Sequence, residues 1–198
     1  EADLASVHAF LEGLLEGAAA LVLEGDAGMG KTTLWDAAVE QAAEWGVVVL
    51  RARPSESETA LSFAGVFDLL DPVLERALDP LPAAQRRALS RALVLEDAEG
   101  PPPDPHAVGI AVLNSLRGLA ASEPVLVAVD DVQWLDTASS GALAFAARRL
   151  DHERVGVLLA RRSGLESGLV SELCRCLAAS RYTELDVGPL DVACLHRV

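Results

Sequence analysis

Apolar residues recur at helical spacing over residues 1–18, where Leu4, Val7, Phe10, Leu11, Leu14 and Leu15 share one face. A short apolar run from Ala19 to Glu24 fits a buried strand. Gly25 to Gly30 is a turn, and helical spacing resumes from Lys31 to about Trp45. Gly46 ends that helix, and Val47 to Arg51 reads as a second buried strand. Strand, glycine-rich turn, helix and strand make a βαβ unit, which predicts a parallel sheet with a right-handed crossover.

Residues 52–60 (ARPSESETA) form a polar loop. Leu61, Phe63, Val66, Phe67, Leu70, Val73, Leu74 and Leu78 then trace a helix face that Pro72 can break. A further helix, Pro82 to about Leu95, carries Arg86, Arg87 and Arg91 on a solvated face. Residues 96–105 (EDAEGPPPDP) are a loop, because three successive prolines fit neither a helix interior nor a central strand. His106 to Ala121 is helical.

Pro124 to Val129 is a continuous apolar run, as expected of a strand buried on both faces, and it ends in Asp130 and Asp131. Thr137 to Leu150 is a helix with Asp136 or Thr137 as its N-cap. Val155 to Ala160 is a fourth strand, capped by Arg161 and Arg162. Ser167 to about Ala179 is helical, and Tyr182 to Val187 suits a fifth strand.

Composition adds limits to this outline. The 198 residues suffice for one sizeable α/β domain, and 51% hydrophobic content supplies its core. No apolar run approaches the roughly 18 residues of a membrane span. The first residues lack a signal-peptide pattern and an initiator Met, so the chain is expected to be an excised piece. Three cysteines are too few for a disulfide framework. Cys174 and Cys176 are read as half-buried helix thiols and not as metal ligands, which fits a reducing, cytoplasmic location. A net charge of −14 repels duplex DNA, so DNA contact is expected only through a domain outside this chain.

The single lysine among 16 basic residues, Lys31, lies in the strongest motif. Gly25-Asp26-Ala27-Gly28-Met29-Gly30-Lys31-Thr32 is G-x-x-x-x-G-K-T, with Thr33 following. Glycines permit positive φ, so successive N–H groups can turn toward an anion, and the next helix aims its positive end at the same point. Lys31 is assigned to the β- and γ-phosphates and the Thr32 hydroxyl to Mg²⁺.

Such a loop needs a carboxylate from the tip of another parallel strand. Asp130, about 100 residues downstream, is the candidate for Mg²⁺. Asp131 stands where an acid can polarise the attacking water. Either Arg161 or Arg162 can reach a γ-phosphate. The chain has no N-K-x-D guanine signature and no LSGGQ, which favours ATP. His8, His106, His152 and His196 stand alone and are not assigned as ligands.

LVLEGDAGMGKTTLW, RARPSESETALSFAGVFDLL and LVAVDDVQWLDTASSGALAFAARRL together resemble the ATPase domain of the large ATP-binding LuxR-type regulators, in the STAND class related to AAA+ proteins. The resemblance runs from about Ala19 to Leu190, with DDVQWLD (Asp130 to Asp136) its most specific part. It implies a three-layer α/β P-loop core with a five-stranded parallel sheet in order 5-1-4-3-2. Residues 1–190 are then one ATPase core and 191–198 the start of a truncated helical lid. Carried over residue by residue, Gly25 to Thr33 bind phosphates, Asp130 holds Mg²⁺, Asp131 is the catalytic acid and Arg162 is the sensor. Pro189 would lie near the adenine.

The resemblance implies an ATP/ADP-dependent switch with slow Mg²⁺-dependent hydrolysis, self-association through the ATPase domain, and transcription regulation as output. Two other classes use the same core: a phosphotransferase or motor, and the ATPase module of another signalling protein such as a nucleotide cyclase.

Overall fold

The structure is a computed structural model that describes residues 2–95 and 103–188. Pro189, the 191–198 segment and most of the proline loop lie outside the described residues.

The elements follow in the order α1 (Ala2–Glu16), β1 (Ala19–Gly25), α2 (Lys31–Glu44), β2 (Val48–Ala52), α3 (Ala64–Leu70), α4 (Leu74–Leu78), α5 (Ala83–Ala92), α6 (Pro105–Ser122), β3 (Val125–Val129), α7 (Thr137–Ala147), β4 (Val155–Arg162), α8 (Gly168–Cys176) and β5 (Tyr182–Asp186). The strands form one sheet in the order β2-β3-β4-β1-β5, and every pairing is parallel. This is the order 5-1-4-3-2 that the resemblance implied, read from the other edge.

The inner strands β1, β3 and β4 are near-continuously apolar because each faces two cores, whereas the edge strand β5 has no fully buried residue. Ala20 and Val22 of β1 join Val125, Val127, Val129 and Leu159 in a core covered by α3 to α8. Leu21 and Leu23 join Leu126, Ala128 and Leu158 in a second core under α1 and α2. Alternate residues point to opposite faces, so the two cores and the sheet make three layers. Leu21, Leu23, Leu126, Leu158 and Leu159 are wholly buried, each contributing about 1.5–3 kcal/mol of burial.

Parallel pairing aligns the strand ends. Gly25 pairs with Arg162, Ala52 with Val129, and Val129 with Leu159. The glycine-rich turn, Asp130 and Arg162 therefore emerge along one edge of the sheet.

Several boundaries differ from the sequence reading. The α1 stripe is narrower: Val7, Phe10, Leu11 and Leu14 are buried, whereas Leu4 and Leu15 are exposed. The 61–78 segment breaks at Pro72, where a 3-10 turn separates α3 from α4. Helix α6 begins at Pro105, because Asp104 caps it by accepting the His106 N–H at 3.0 Å and proline suits a first helical position. Strand β4 runs on through Arg161 and Arg162. Cys174 and Cys176 are exposed and not half-buried; α8 buries Leu169, Val170 and Leu173, which turns both thiols off the packed face.

Among the described residues, no helix is long and apolar enough to cross a membrane.

Candidate functional site

The turn between β1 and α2 uses its glycines in two ways. Gly28 and Gly30 take φ of 82° and 92°, values that side-chain-bearing residues rarely adopt. Gly25 is different: a Cβ there would stand 2.7 Å from the Val187 carbonyl oxygen. It is a close-approach glycine between the turn and the end of β5, not a positive-φ position. Gly30 also serves as the α2 N-cap and has no side chain to offer, so the first-turn N–H groups of α2 receive no side-chain bond from their N-cap residue. Asp26, Ala27 and Gly28 are exposed, and Met29 and Gly30 half-buried.

Lys31 is buried at the start of α2. Its Nζ donates to the Gly25 and Asp26 carbonyls, each at 2.8 Å. The ammonium thus sits inside the loop it belongs to, with its charge held at the mouth of the turn. A third donor is left for an anion.

Thr32 and Asp130 face each other across the space between α2 and β3, with the threonine hydroxyl near enough to favour the ionised carboxylate. Asp130 is buried, and its backbone N–H donates to the Ala52 carbonyl of β2 at 3.1 Å. Burial pushes its carboxyl above the usual range, and the neighbouring Asp131 charge pushes the same way. The Thr32 hydroxyl, the Asp131 N–H and the charge of Arg53 act against that rise.

The donor pair fits Mg²⁺. Both atoms are hard oxygens, one anionic, and a magnesium site of this type takes few protein ligands and completes its shell from phosphate and water. Among the described residues there is no cluster of three or more His, Cys, Asp or Glu that could hold a metal alone.

Asp131 has φ 49°, in the left-handed region that aspartate tolerates better than most residues. It caps a 3-10 turn over Val132–Trp134. That turn brings Gln133 back over the acid: Gln133 Nε2 donates to Asp131 Oδ1 at 2.7 Å. The same amide's Oε1 accepts the Arg162 backbone N–H at 3.4 Å.

The two arginines at the β4 tip divide. Arg161 donates to Glu24 at 2.5 Å and pairs with Glu184, so it ties β4, β1 and β5 together. Arg162 is exposed, and its guanidinium makes no ion pair or hydrogen bond among the described residues.

The structure thus brings Gly25 to Thr33, Asp130, Asp131 and Arg162 to one edge. Two neighbours were missed by sequence reasoning. Arg53 follows β2 at the same edge, lies 5.0 Å from the Trp35 ring centroid and pairs with Asp36 of α2. Its signal in the sequence is an arginine just beyond a buried strand, which the polar character of residues 52–60 hides. Gln133 lay in the quoted DDVQWLD stretch without a role.

The last acid of that stretch, Asp136, is elsewhere. It is buried and accepts backbone N–H groups from Phe63 at 2.9 Å, Gly65 at 3.1 Å and Ser139 at 2.9 Å. It joins α7 to α3 and does not face the strand edge.

Solved structures with similar folds include Drosophila ORC bound to AT-rich DNA and Cdc6, with a TM-score of 0.47 and 13% identity over 96% of this chain. They also include the Aeropyrum pernix ORC2 protein in its ADPNP-ADP complexes, with 0.47 and 17% over 93%. A third is AMPPCP-bound DnaA from Aquifex aeolicus, with 0.46 and 17% over 91%. The chain spans 60%, 46% and 44% of those three proteins' own lengths. Curated proteins yield no match to it. The family description "AAA ATPase domain" matches residues 1–159. With its five-stranded parallel sheet and glycine-rich turn, the chain belongs to the AAA ATPase domain family.

Proposed function

We propose that this chain is the ATP-dependent switch domain of a larger LuxR-type, STAND-class transcriptional regulator. Residues 1–190 form the core and 191–198 begin its lid. One observation carries the nucleotide reading: the Lys31 turn, the Thr32–Asp130 pair, Asp131 and the uncommitted Arg162 share one sheet edge. The regulator assignment rests on the resemblance of DDVQWLD and its flanks.

In this reading the residues from Gly25 to Thr33 cradle the phosphates, with backbone N–H groups and the α2 dipole directed at them. Lys31 donates to β- and γ-phosphate oxygens. Thr32 and Asp130 hold Mg²⁺, which when bound offsets phosphate charge. Asp131 orients the attacking water and takes its proton, and Arg162 senses the γ-phosphate. Pro189 borders the adenine.

Hydrolysis is slow, because the switch needs the ATP form to persist. ATP favours an assembled state through self-association of the ATPase domain, and ADP a closed one. The protein acts in the cytoplasm, and DNA is contacted by another domain.

Calorimetric titration with ATP and ADP, each with Mg²⁺, tests the reading. Lys31→Ala is expected to abolish binding, and Asp131→Asn to keep binding while blocking hydrolysis. Normal ATP binding by Lys31→Ala would refute the site. A turnover of many per second without partners would replace the switch with a motor or phosphotransferase.

A further inference from the structure

Gln133 occupies a position that chemistry restricts. On one side stands the Asp131 carboxylate, which when ionised only accepts hydrogen bonds. On the other stands the Arg162 backbone N–H, which only donates. A side chain that serves both must present a donor and an acceptor a short fixed distance apart. A primary amide does so in one orientation only, with its NH₂ toward Asp131 and its oxygen toward Arg162.

The two bonds are unequal. The one to Asp131 is charge-assisted and short at 2.7 Å, whereas the one to Arg162 is long at 3.4 Å. The first fixes the carboxylate; the second reports where the β4 tip lies. Asp131 Oδ2 makes no hydrogen bond among the described residues, so the bond at Oδ1 selects which oxygen is left for other work. The backbone of Asp131 is already turned into the left-handed region, which leaves the side-chain torsion as the freedom that Gln133 removes.

We propose that Gln133 is a positioning residue for hydrolysis: its amide locks the Asp131 carboxylate and couples it to the strand end that carries Arg162. This rests on the roles given to Asp131 and Arg162 above. Acid and arginine are then set as a unit, and a shift of the β4 tip when Arg162 engages phosphate reaches Asp131 through one side chain.

Single-turnover hydrolysis and affinity for a non-hydrolysable ATP analogue, measured on the same variants, separate positioning from binding. Gln133→Leu is expected to lower the hydrolysis rate about tenfold to a hundredfold, with analogue affinity kept within about twofold. Gln133→Glu is expected to fall at least as far, since it sets a second carboxylate against Asp131. Gln133→His, with one ring donor and one acceptor, should keep most of the rate. An unchanged rate in Gln133→Leu overturns the proposal. So does a loss of analogue affinity equal to the loss of rate.

A second measurement does not depend on nucleotide. The Gln133 side-chain amide protons, followed by ¹⁵N NMR, should exchange slowly in the native chain and quickly in Asp131→Ala. Fast exchange in the native chain overturns the bridge even if hydrolysis is normal. If the native chain binds no ATP but shows the protected amide, the nucleotide reading fails while the bridge stands.

Discussion

The Asp136 carboxylate accepts the Phe63 backbone N–H at 2.9 Å, across 73 positions of the chain. Phe63 has φ 64°, a costly conformation for a bulky residue that persists only when its surroundings impose it. Asp136 imposes it by also taking the Gly65 N–H, while Ser139 Oγ takes that of Val66 at 2.9 Å. Three otherwise unpaired N–H groups at the start of α3 are thereby met from the start of α7. The same carboxylate caps α7 through the Ser139 N–H.

Replacing Asp136 with alanine strips partners from three buried N–H groups at once. Each costs about 1–3 kcal/mol, so the loss is expected to exceed about 3 kcal/mol. Ser139→Ala strips only the Val66 N–H and should cost about 1–2 kcal/mol. Urea unfolding of both variants checks the ranking. Equal costs would show that the Asp136 bonds add little beyond helix capping.

The strands and their parallel βαβ start were legible in the apolar runs and the G-x-x-x-x-G-K-T turn, whereas their order came from the resemblance to the LuxR-type ATPase domain. Lys31, Asp130, Asp131 and Arg162 reach one edge as parallel pairing requires. Side-chain partnerships were not legible. Whether Arg161 or Arg162 stays uncommitted depends on Glu24 and Glu184, which lie 137 and 23 positions away from Arg161. Asp136 could be read as a cap, but its bonds to Phe63 and Gly65 depend on long-range packing. Gly25 looked like a positive-φ glycine because its neighbours in the motif are; only the nearness of Val187 shows its other purpose.

Gly25 therefore supplies its own test. In Gly25→Ala the added methyl meets a backbone carbonyl, which cannot rotate away as a side chain can. The Val187 N–H to Glu24 carbonyl bond at 2.6 Å holds the two segments together, so relief requires that bond to stretch. A loss of about 1–3 kcal/mol is expected, as for overpacking of a tight contact. Gly28→Ala meets no atom within 4 Å and pays only for its φ of 82°. If Gly25→Ala unfolds at the native urea midpoint, the approach to Val187 is not a constraint.

The β4 arginines should separate stability from chemistry. Arg161→Ala removes the pairings to Glu24 and Glu184 and is expected to cost about 1 kcal/mol, because the cluster is partly screened by solvent. Hydrolysis should change little. Arg162→Ala should stay within about 0.5 kcal/mol of the native stability, as exposed substitutions do. Its hydrolysis rate should drop by about tenfold or more if the guanidinium senses γ-phosphate. Thermal melts with single-turnover rates on both variants give the four values. The reverse pattern would reassign the sensor to Arg161.

Tyr182 is the single tyrosine of the chain, so phenolate absorbance reports on it directly. Its hydroxyl is pushed up to about 12, first by burial and then by the negative charge of Glu184, with the charge of Arg161 acting against the rise. A phenol whose folded pKa lies above its unfolded value of about 10 stays neutral in the fold after the unfolded chain has begun to ionise. The stability this contributes is full below about pH 10 and is lost as pH rises toward 12. Alkaline titration of the folded chain should show a midpoint near 12, against one near 10 in concentrated urea. Glu184→Gln removes the charge beside the ring and should bring the folded midpoint down. Because β5 is the edge strand and Tyr182 pairs with Ala20 of β1, a folded midpoint near 10 would mean that this edge does not stay docked.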